Sequence, residues 1–305
     1  MTNKTIRIGT RDSQLALWQA HTVEKKLNDL GYKTEIIAIK SAGDVILDKP
    51  LYEFGITGIF TKTLDVAMIS GHVDIAVHSM KDVPTALPKG IVQCAVLERE
   101  STLDILVYNE IPDFTSELTI ATGSLRRQAQ WLNRYPHHHV TDLRGNVNTR
   151  LQKLSVHNWG GAIFASAGLD RLNIKPENHL NLDWMIPAPA QGAMVVVAML
   201  DDAFSAEAAS KLNHFESEIC THIERQFLKT LEGGCTAPIG ALATIVDNQI
   251  RFEGILCSID GKEKIHIEKS AEITLFNNFG QECAFEILGN GGDVVMEKIK
   301  WDLKK

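Results

Sequence analysis

The stretch IRIGTRDSQLALWQAHTVEKKLNDLGYKTEIIAI, residues 6–39, reads as strand, helix, strand. Ile6-Arg7-Ile8-Gly9 is a short strand, and Ser13 can cap a helix whose apolar face is Leu17, Val23, Leu27 and Leu30. Gly31 is its stop, and residues 34–39 form the next strand. A strand–helix–strand start predicts a parallel α/β sheet. The alternation continues with a helix over 59–69 and a strand over 73–78, which ends at Ser79-Met80-Lys81-Asp82-Val83-Pro84. It restarts after about residue 100, with strands at 104–108, 118–121, 140–143 and 161–165 and helices at 124–134 and 146–155. Two successive α/β units result, without a visible sequence repeat.

Pro187-Ala188-Pro189-Ala190-Gln191-Gly192 reads as a linker. The apolar strand after it, 193–199, can return to the first sheet, so the first domain is expected to be discontinuous: 1–97 with 193–212, the second domain being 98–192. From 213 to 305 the pattern changes to α+β, with a helix from 214 towards 231, strands at 239–246, 250–257 and 264–268, and a helix near 275–288.

Composition narrows the class. The chain has 305 residues, 44% hydrophobic and 23% charged, as in ordinary globular proteins. No apolar run approaches the ~20 residues of a membrane span, and the first residues lack the apolar core of a signal peptide. Five cysteines without a CxxC pair argue against a disulfide framework and a zinc site. A cytoplasmic protein with no membrane partner and no metal is expected.

A net charge of −7 speaks against nucleic-acid binding, yet residues 120–175 hold eight Lys and Arg against two acids. Six of the eleven arginines lie there. Arg126 and Arg127 open a helix after Thr122-Gly123-Ser124, and Arg144 precedes the helix carrying Arg150. Cations at a helix N-terminus oppose the macrodipole, but with free N–H groups and hydroxyls they make a cradle for carboxylate or phosphate. Arg11, in the first turn after a strand, fits the same scheme. Lys81-Asp82 lies beyond a buried strand, where α/β sheets collect ligand sites, and an acid beside a cation can act on developing positive charge. His137-His138-His139 has no spaced partner and reads as a polar surface tract. Leu231-Glu232-Gly233-Gly234-Cys235 ends a helix on two glycines and presents one thiol on a loop, whereas Cys94, Cys220, Cys257 and Cys283 lie in apolar runs.

In order along the chain, RIGTRDS (7–13), DIAVHSMKDVPT (74–85), GSLRRQ (123–128), LRGNVNTRL (143–151), AGLDRL (167–172), PAQGA (189–193) and LEGGCTAPIG (231–240) together resemble the hydroxymethylbilane synthase, or porphobilinogen deaminase, family. The resemblance implies two α/β domains like type II periplasmic binding proteins with a central cleft, plus a small α+β C-terminal domain. It implies a transferase of tetrapyrrole biosynthesis that joins four porphobilinogen molecules head to tail with release of ammonia, then hydrolyses off a linear tetrapyrrole. The chain would grow on a dipyrromethane cofactor held by a thioether to Cys235, in a monomer that binds only a small-molecule substrate.

Asp82 is then the catalytic acid that stabilises the cation left by ammonia loss. Arg11, Arg126, Arg127, Arg144, Arg150 and Arg171 would hold acetate and propionate groups, with Ser13, Lys81, Thr122, Ser124 and Gln191 as further contacts and Phe60 near the incoming ring. Three positions depart from the family pattern: Thr57 stands for a usual Lys, Asp65 for a Glu and Thr230 for an Arg. A small-dianion binding protein and a cysteine-dependent hydrolase or acyltransferase are the alternatives. The first needs no loop thiol, and the second needs a His near Cys235.

Overall fold

A computed structural model describes residues 4–40, 61–232 and 237–303. In the first unit, β1 (Thr5–Arg11) leads through the N-cap Ser13, whose Oγ accepts a bond from the Ala16 N–H, into α1 (Gln14–Asp29). β2 (Lys33–Ile39) then pairs parallel with β1. The helix buries Ala16, Gln19, Ala20, Val23 and Leu27. Leu30, expected on the apolar face, is instead exposed, because it caps the helix after the last buried turn. α2 (Lys62–Ile69), β3 (Ile75–Ser79), a 3₁₀ turn at Met80–Asp82 and β4 (Ile91–Val96) follow.

The second unit comprises β5 (Asp104–Val107), β6 (Thr119–Ala121), α3 (Leu125–Arg134), β7 (His139–Thr141), α4 (Val147–Val156), β8 (Gly161–Ala165), α5 (Ser166–Asp170) and β9 (His179–Asn181). β10 (Met194–Met199) and α6 (Ala203–Ser210) come next. β10 inserts antiparallel between β3 and β4, so the first sheet has the order β2-β1-β3-β10-β4. The second sheet runs β7-β6-β8-β5-β9, with β5 antiparallel to both neighbours. Counted from its own first parallel strand, each sheet is ordered 2-1-3-n-4, where n is an antiparallel strand reached by a crossing from the other unit. The repeat absent from the sequence is therefore present in topology.

Apolar clusters cover both faces of each mixed sheet. In the first sheet, Ile6, Ile8 and Val196 belong to one cluster and Ala76, Val195 and Val197 to the other. The second sheet is clothed by the clusters of Ala121, Leu143 and Phe164 and of Leu106, Ile120 and Trp131. His138 belongs with this second layer. It is buried, stacks on Tyr135 and accepts the Trp131 indole N–H at 3.1 Å, so the histidine tract is not wholly a polar surface.

The C-terminal unit is an antiparallel meander of β11 (Ile239–Val246), β12 (Gln249–Cys257) and β13 (Lys264–Glu272). Against it pack α7 (Phe215–Thr230), α8 (Phe276–Ile287) and α9 (Asp293–Asp302). Phe252 meets Phe227 and Phe279 edge-on, at 5.1 and 6.3 Å between ring centroids. Cys220 and Cys283 are buried in the same core and Cys257 against Ala129 and Ile186, and burial pushes all three thiols up to about 12. α7 and α8 cross so closely at Gly280 that an added Cβ would lie 2.0 Å from the Ile223 carbonyl oxygen. That atom is backbone and cannot step aside, so Gly280→Ala is expected to lower unfolding free energy by about 1–3 kcal/mol. Urea denaturation checks this: an unchanged midpoint would contradict the crossing.

Candidate active site

The functional candidates gather where parallel strands end. Arg11, expected in the turn, is instead the last residue of β1 and Ser13 follows it; Lys81 and Asp82 follow β3, Thr122 and Ser124 follow β6, Arg144 follows β7, and Arg171 closes α5 after β8. Strand order places these ends at the crevices where open α/β sheets bind ligands. Gly123 brings two of the turns together, since a Cβ there would lie 2.8 Å from the Leu143 carbonyl oxygen. The helix starts of α3 and α4, each carrying arginine, are therefore neighbours.

The first-unit wall is a cleft lined by Arg11, Ser13, Gln19, Thr61, His78, Ser79 and Asp82. Gln19, buried, donates to Ser79 Oγ at 2.7 Å. His78 is buried beside Arg11, and burial together with that positive charge lowers its pKa to about 4, so the ring is neutral at physiological pH. Its Nε2 is shielded from solvent without a hydrogen-bond partner among the described residues. Burial in the cleft lowers Lys81 to about 8, with Arg127 and Arg126 adding to the fall and Asp82 and Asp104 opposing it. Lys81 donates to Gln191 Oε1 at 3.4 Å.

The arginines divide into two kinds. Arg126 and Arg127 are buried and meet one carboxylate, Asp104, at the start of β5. Arg126 Nη1 donates to Oδ2 at 2.7 Å, and Arg127 donates to Oδ1 through Nη2 at 2.7 Å and Nε at 3.0 Å. The carboxylate also accepts from Gln191 Nε2 at 3.0 Å. Burial opposes ionisation of Asp104, but the two guanidinium charges and these bonds hold it well below the usual carboxylate range. Arg127 commits Nη1 as well, to the Ile163 carbonyl. Arg171 likewise bonds Glu100 at 2.7 Å and the Gly192 carbonyl at 2.8 Å. These three were expected simply as carboxylate holders; in the structure they already pair with internal groups, and Asp104 and Glu100 went unread in the sequence.

Arg144 and Arg150 differ. Arg144 is buried, its Nε has no hydrogen-bond partner among the described residues, and burial lowers its pKa. Arg150 donates Nε to the Gly145 carbonyl, and burial with the nearby charges of Arg127 and Arg144 brings it down to about 10. Asp82 is among the groups that oppose this fall, so it belongs to the same electrostatic neighbourhood from the opposite wall. Thr122 is buried with its hydroxyl on the Ser124 N–H, and Ser124 sits at the N-cap of α3 without bonding through its side chain there. Gln191 is buried and links Lys81, Asp104 and the Thr102 carbonyl across the two crossing segments.

Cys235, Phe60 and Thr57 lie outside the described residues. Asp65 is buried in the first turn of α2, where burial raises its pKa against a bond from Thr61. Thr230 ends α7. The site as a whole fits a ligand with many carboxylates: its buried, shifted cations and the Nε atoms of Arg126 and Arg144, without a hydrogen-bond partner among the described residues, call for anionic oxygen.

Residues 6–207 match the family model for the porphobilinogen deaminase dipyromethane cofactor binding domain, and residues 218–289 match that for the porphobilinogen deaminase C-terminal domain. The chain is 37% identical to the porphobilinogen deaminase of Pelobacter propionicus over 308 residues, and 38% identical to that of Trichlorobacter lovleyi over 305, covering 98% of both chains in each case. Against that of Pelotomaculum thermopropionicum it is 41% identical, with 86% of each chain covered. Among solved structures, it aligns with a methionine-binding protein at TM-score 0.45 and 11% identity, covering 69% of this chain and 90% of that one. A periplasmic substrate-binding protein from Coxiella burnetii aligns at TM-score 0.43 and 13% identity, covering 68% of this chain and 91% of that one. With matching models over both parts of the chain and relatives above 30% identity along nearly its whole length, this chain belongs to the porphobilinogen deaminase family.

Proposed function

We infer that the cleft between the two mixed sheets is the catalytic site, with Asp82 as its acid and Cys235 as the cofactor anchor. The enzyme is a transferase of tetrapyrrole biosynthesis, a hydroxymethylbilane synthase that condenses four porphobilinogen molecules with loss of ammonia. Its dipyrromethane cofactor supplies the primer, a carbon nucleophile to which the first substrate ring is joined. The observation that carries the site assignment is that Lys81 and Arg150 both feel the charge of Asp82, with Arg144 beside Arg150 and Asp82 lining the first-unit cleft with Arg11 and Ser13.

Each side chain then has a task. Lys81, Arg144 and Arg150 bind acetate and propionate groups by charge-assisted hydrogen bonds, joined by Arg11, Ser13 and the hydroxyls of Thr122 and Ser124. Arg126, Arg127 and Arg171 back this wall; Arg126 keeps its Nε for an incoming oxygen while Asp104 holds its other end. Asp82 stabilises the cation left when the leaving amine departs, accepts hydrogen bonds from pyrrole N–H groups, and carries protons to the amine and from the new carbon–carbon bond. By its place in the motif, Phe60 is assigned to the neighbourhood of the incoming ring. The same reading divides the chain into 1–97 with 193–212, 98–192 and 213–305, and makes it a cytoplasmic monomer.

Asp82→Asn removes the charge at constant shape. It is expected to keep the fold and cofactor while losing about 10²–10⁴ in kcat; near-normal turnover of porphobilinogen would remove Asp82 from its role. The Lys81 ammonium binds carboxylate only while protonated, so KM should rise as pH passes about 8. Lys81→Arg keeps its charge throughout that range and should flatten the rise. An identical pH profile in the variant would contradict the assignment.

A further inference from the structure

We propose that Arg225 is a positioning residue for the catalytic turn, holding Lys81 and Asp82 in place from the C-terminal unit. The inference rests on the reading of Asp82 given above. Arg225 lies on α7 and reaches across to the 3₁₀ turn after β3. Its Nη1 donates to the Val83 carbonyl at 2.9 Å and the Met80 carbonyl at 3.3 Å, and its Nη2 donates to the Pro84 carbonyl at 2.6 Å. These three acceptors bracket Lys81 and Asp82 in the chain.

The turn needs such a grip. A single 3₁₀ turn of three residues closes one internal bond, from the Val83 N–H to the Met80 carbonyl at 3.2 Å, and leaves its later carbonyls without helical partners. Pro84 has no N–H with which to extend a ladder. On the other side the turn is tied by the Met80 N–H to the Ala193 carbonyl at 3.0 Å. A planar guanidinium with five donors can bind three carbonyls that diverge from one point, which an ammonium on a flexible stem does less well.

The origin of the arginine adds meaning to the contact. Glu224, the preceding residue of α7, binds Arg99 of the first crossing segment and the Ala190 N–H of the second. α7 ends at Thr230, five residues before Cys235. One helix thus fixes the turn bearing the catalytic acid and leads directly to the cofactor-anchoring segment. Arg225 fixes the place of the turn against α7.

The test uses full-length, cofactor-loaded enzyme carrying Arg225→Gln or Arg225→Lys, with Asp82→Asn as reference. Loading is read by intact mass, turnover is normalised to loaded enzyme, and hydrogen exchange is followed over residues 79–85. Loss of the grip should lower kcat of Arg225→Gln by ~10–100-fold with KM within about twofold. Exchange of the Val83 amide should quicken, and Arg225→Lys should fall between the variant and the parent. Unchanged kcat per loaded enzyme in both variants, beside an inactive Asp82→Asn, would overturn the proposal while leaving Asp82 in its role. So would a loss of activity explained wholly by unloaded protein. If Arg225→Gln does not load, Arg225→Lys decides by the same criterion. A fully active Asp82→Asn would remove the reading on which the proposal rests, and the proposal with it.

Discussion

Arg126 and Arg127 converge on one buried carboxylate, Asp104, and the rest of the cleft depends on that meeting. Burying like charges together is costly unless a counter-charge and hydrogen bonds offset the lost hydration. Asp104 provides both within the protein, so the second-unit wall can carry arginine at the start of α3 against the helix dipole. The remaining cations, Arg144, Arg150 and Lys81, are destabilised by burial. On the proposed reading, carboxylates of the ligand add to what the Gln191 oxygen gives Lys81 and the Gly145 carbonyl gives Arg150. A site arranged this way is strained towards anions before any arrives, and that preorganisation suits a substrate whose every ring brings two more carboxylates.

A second buried carboxylate governs the joints. Glu224 takes both Arg99 Nη groups, at 2.6 and 3.0 Å, together with the Ala190 N–H at 2.6 Å and the Ala243 N–H at 2.7 Å. Ala190 has φ +63°, a left-handed conformation that a non-glycine residue adopts only when its surroundings require it. The bond to Glu224 is the requirement: it turns the chain so that Gln191 faces Asp104 and Lys81. Arg171 holds the next carbonyl, Gly192. The crossing segments, the C-terminal helix and the cleft are thus one network of buried charge.

Much of this architecture was legible in the sequence. Strand 161–165 and strand 239–246 fall where hydrophobic pattern and turns put them, and Ser13 caps its helix as its side chain demands. The return of 193–199 to the first sheet followed from an apolar run after a proline-rich linker. β4 and α9 were missed: Cys94 and Gln93 blur the β4 pattern, and α9 starts after a glycine pair that reads as a turn. The arginine clusters were read as anion chemistry, but the pairing of Arg126, Arg127 and Arg171 with internal carboxylates was not seen. Asp104 stands at the edge of an apolar strand 22 residues from Arg126, and only tertiary structure makes it a partner. An acid opening the buried run Ile105-Leu106-Val107 was the signal available, and it says a counter-charge exists without saying whose. Glu224 and Arg225 looked like an ordinary charged face of α7 because Arg99 and the Met80–Pro84 carbonyls lie more than 100 residues away.

The anion-binding cleft and the Cys235 thiol are proposed to serve one covalently primed site. Intact-protein mass spectrometry followed by peptide mapping tests it most directly. The account predicts excess mass equal to two condensed porphobilinogen units, located on the peptide containing Cys235, or the same mass gained when unloaded protein is given porphobilinogen. A Cys235 that stays unmodified and alkylatable after that addition would contradict it.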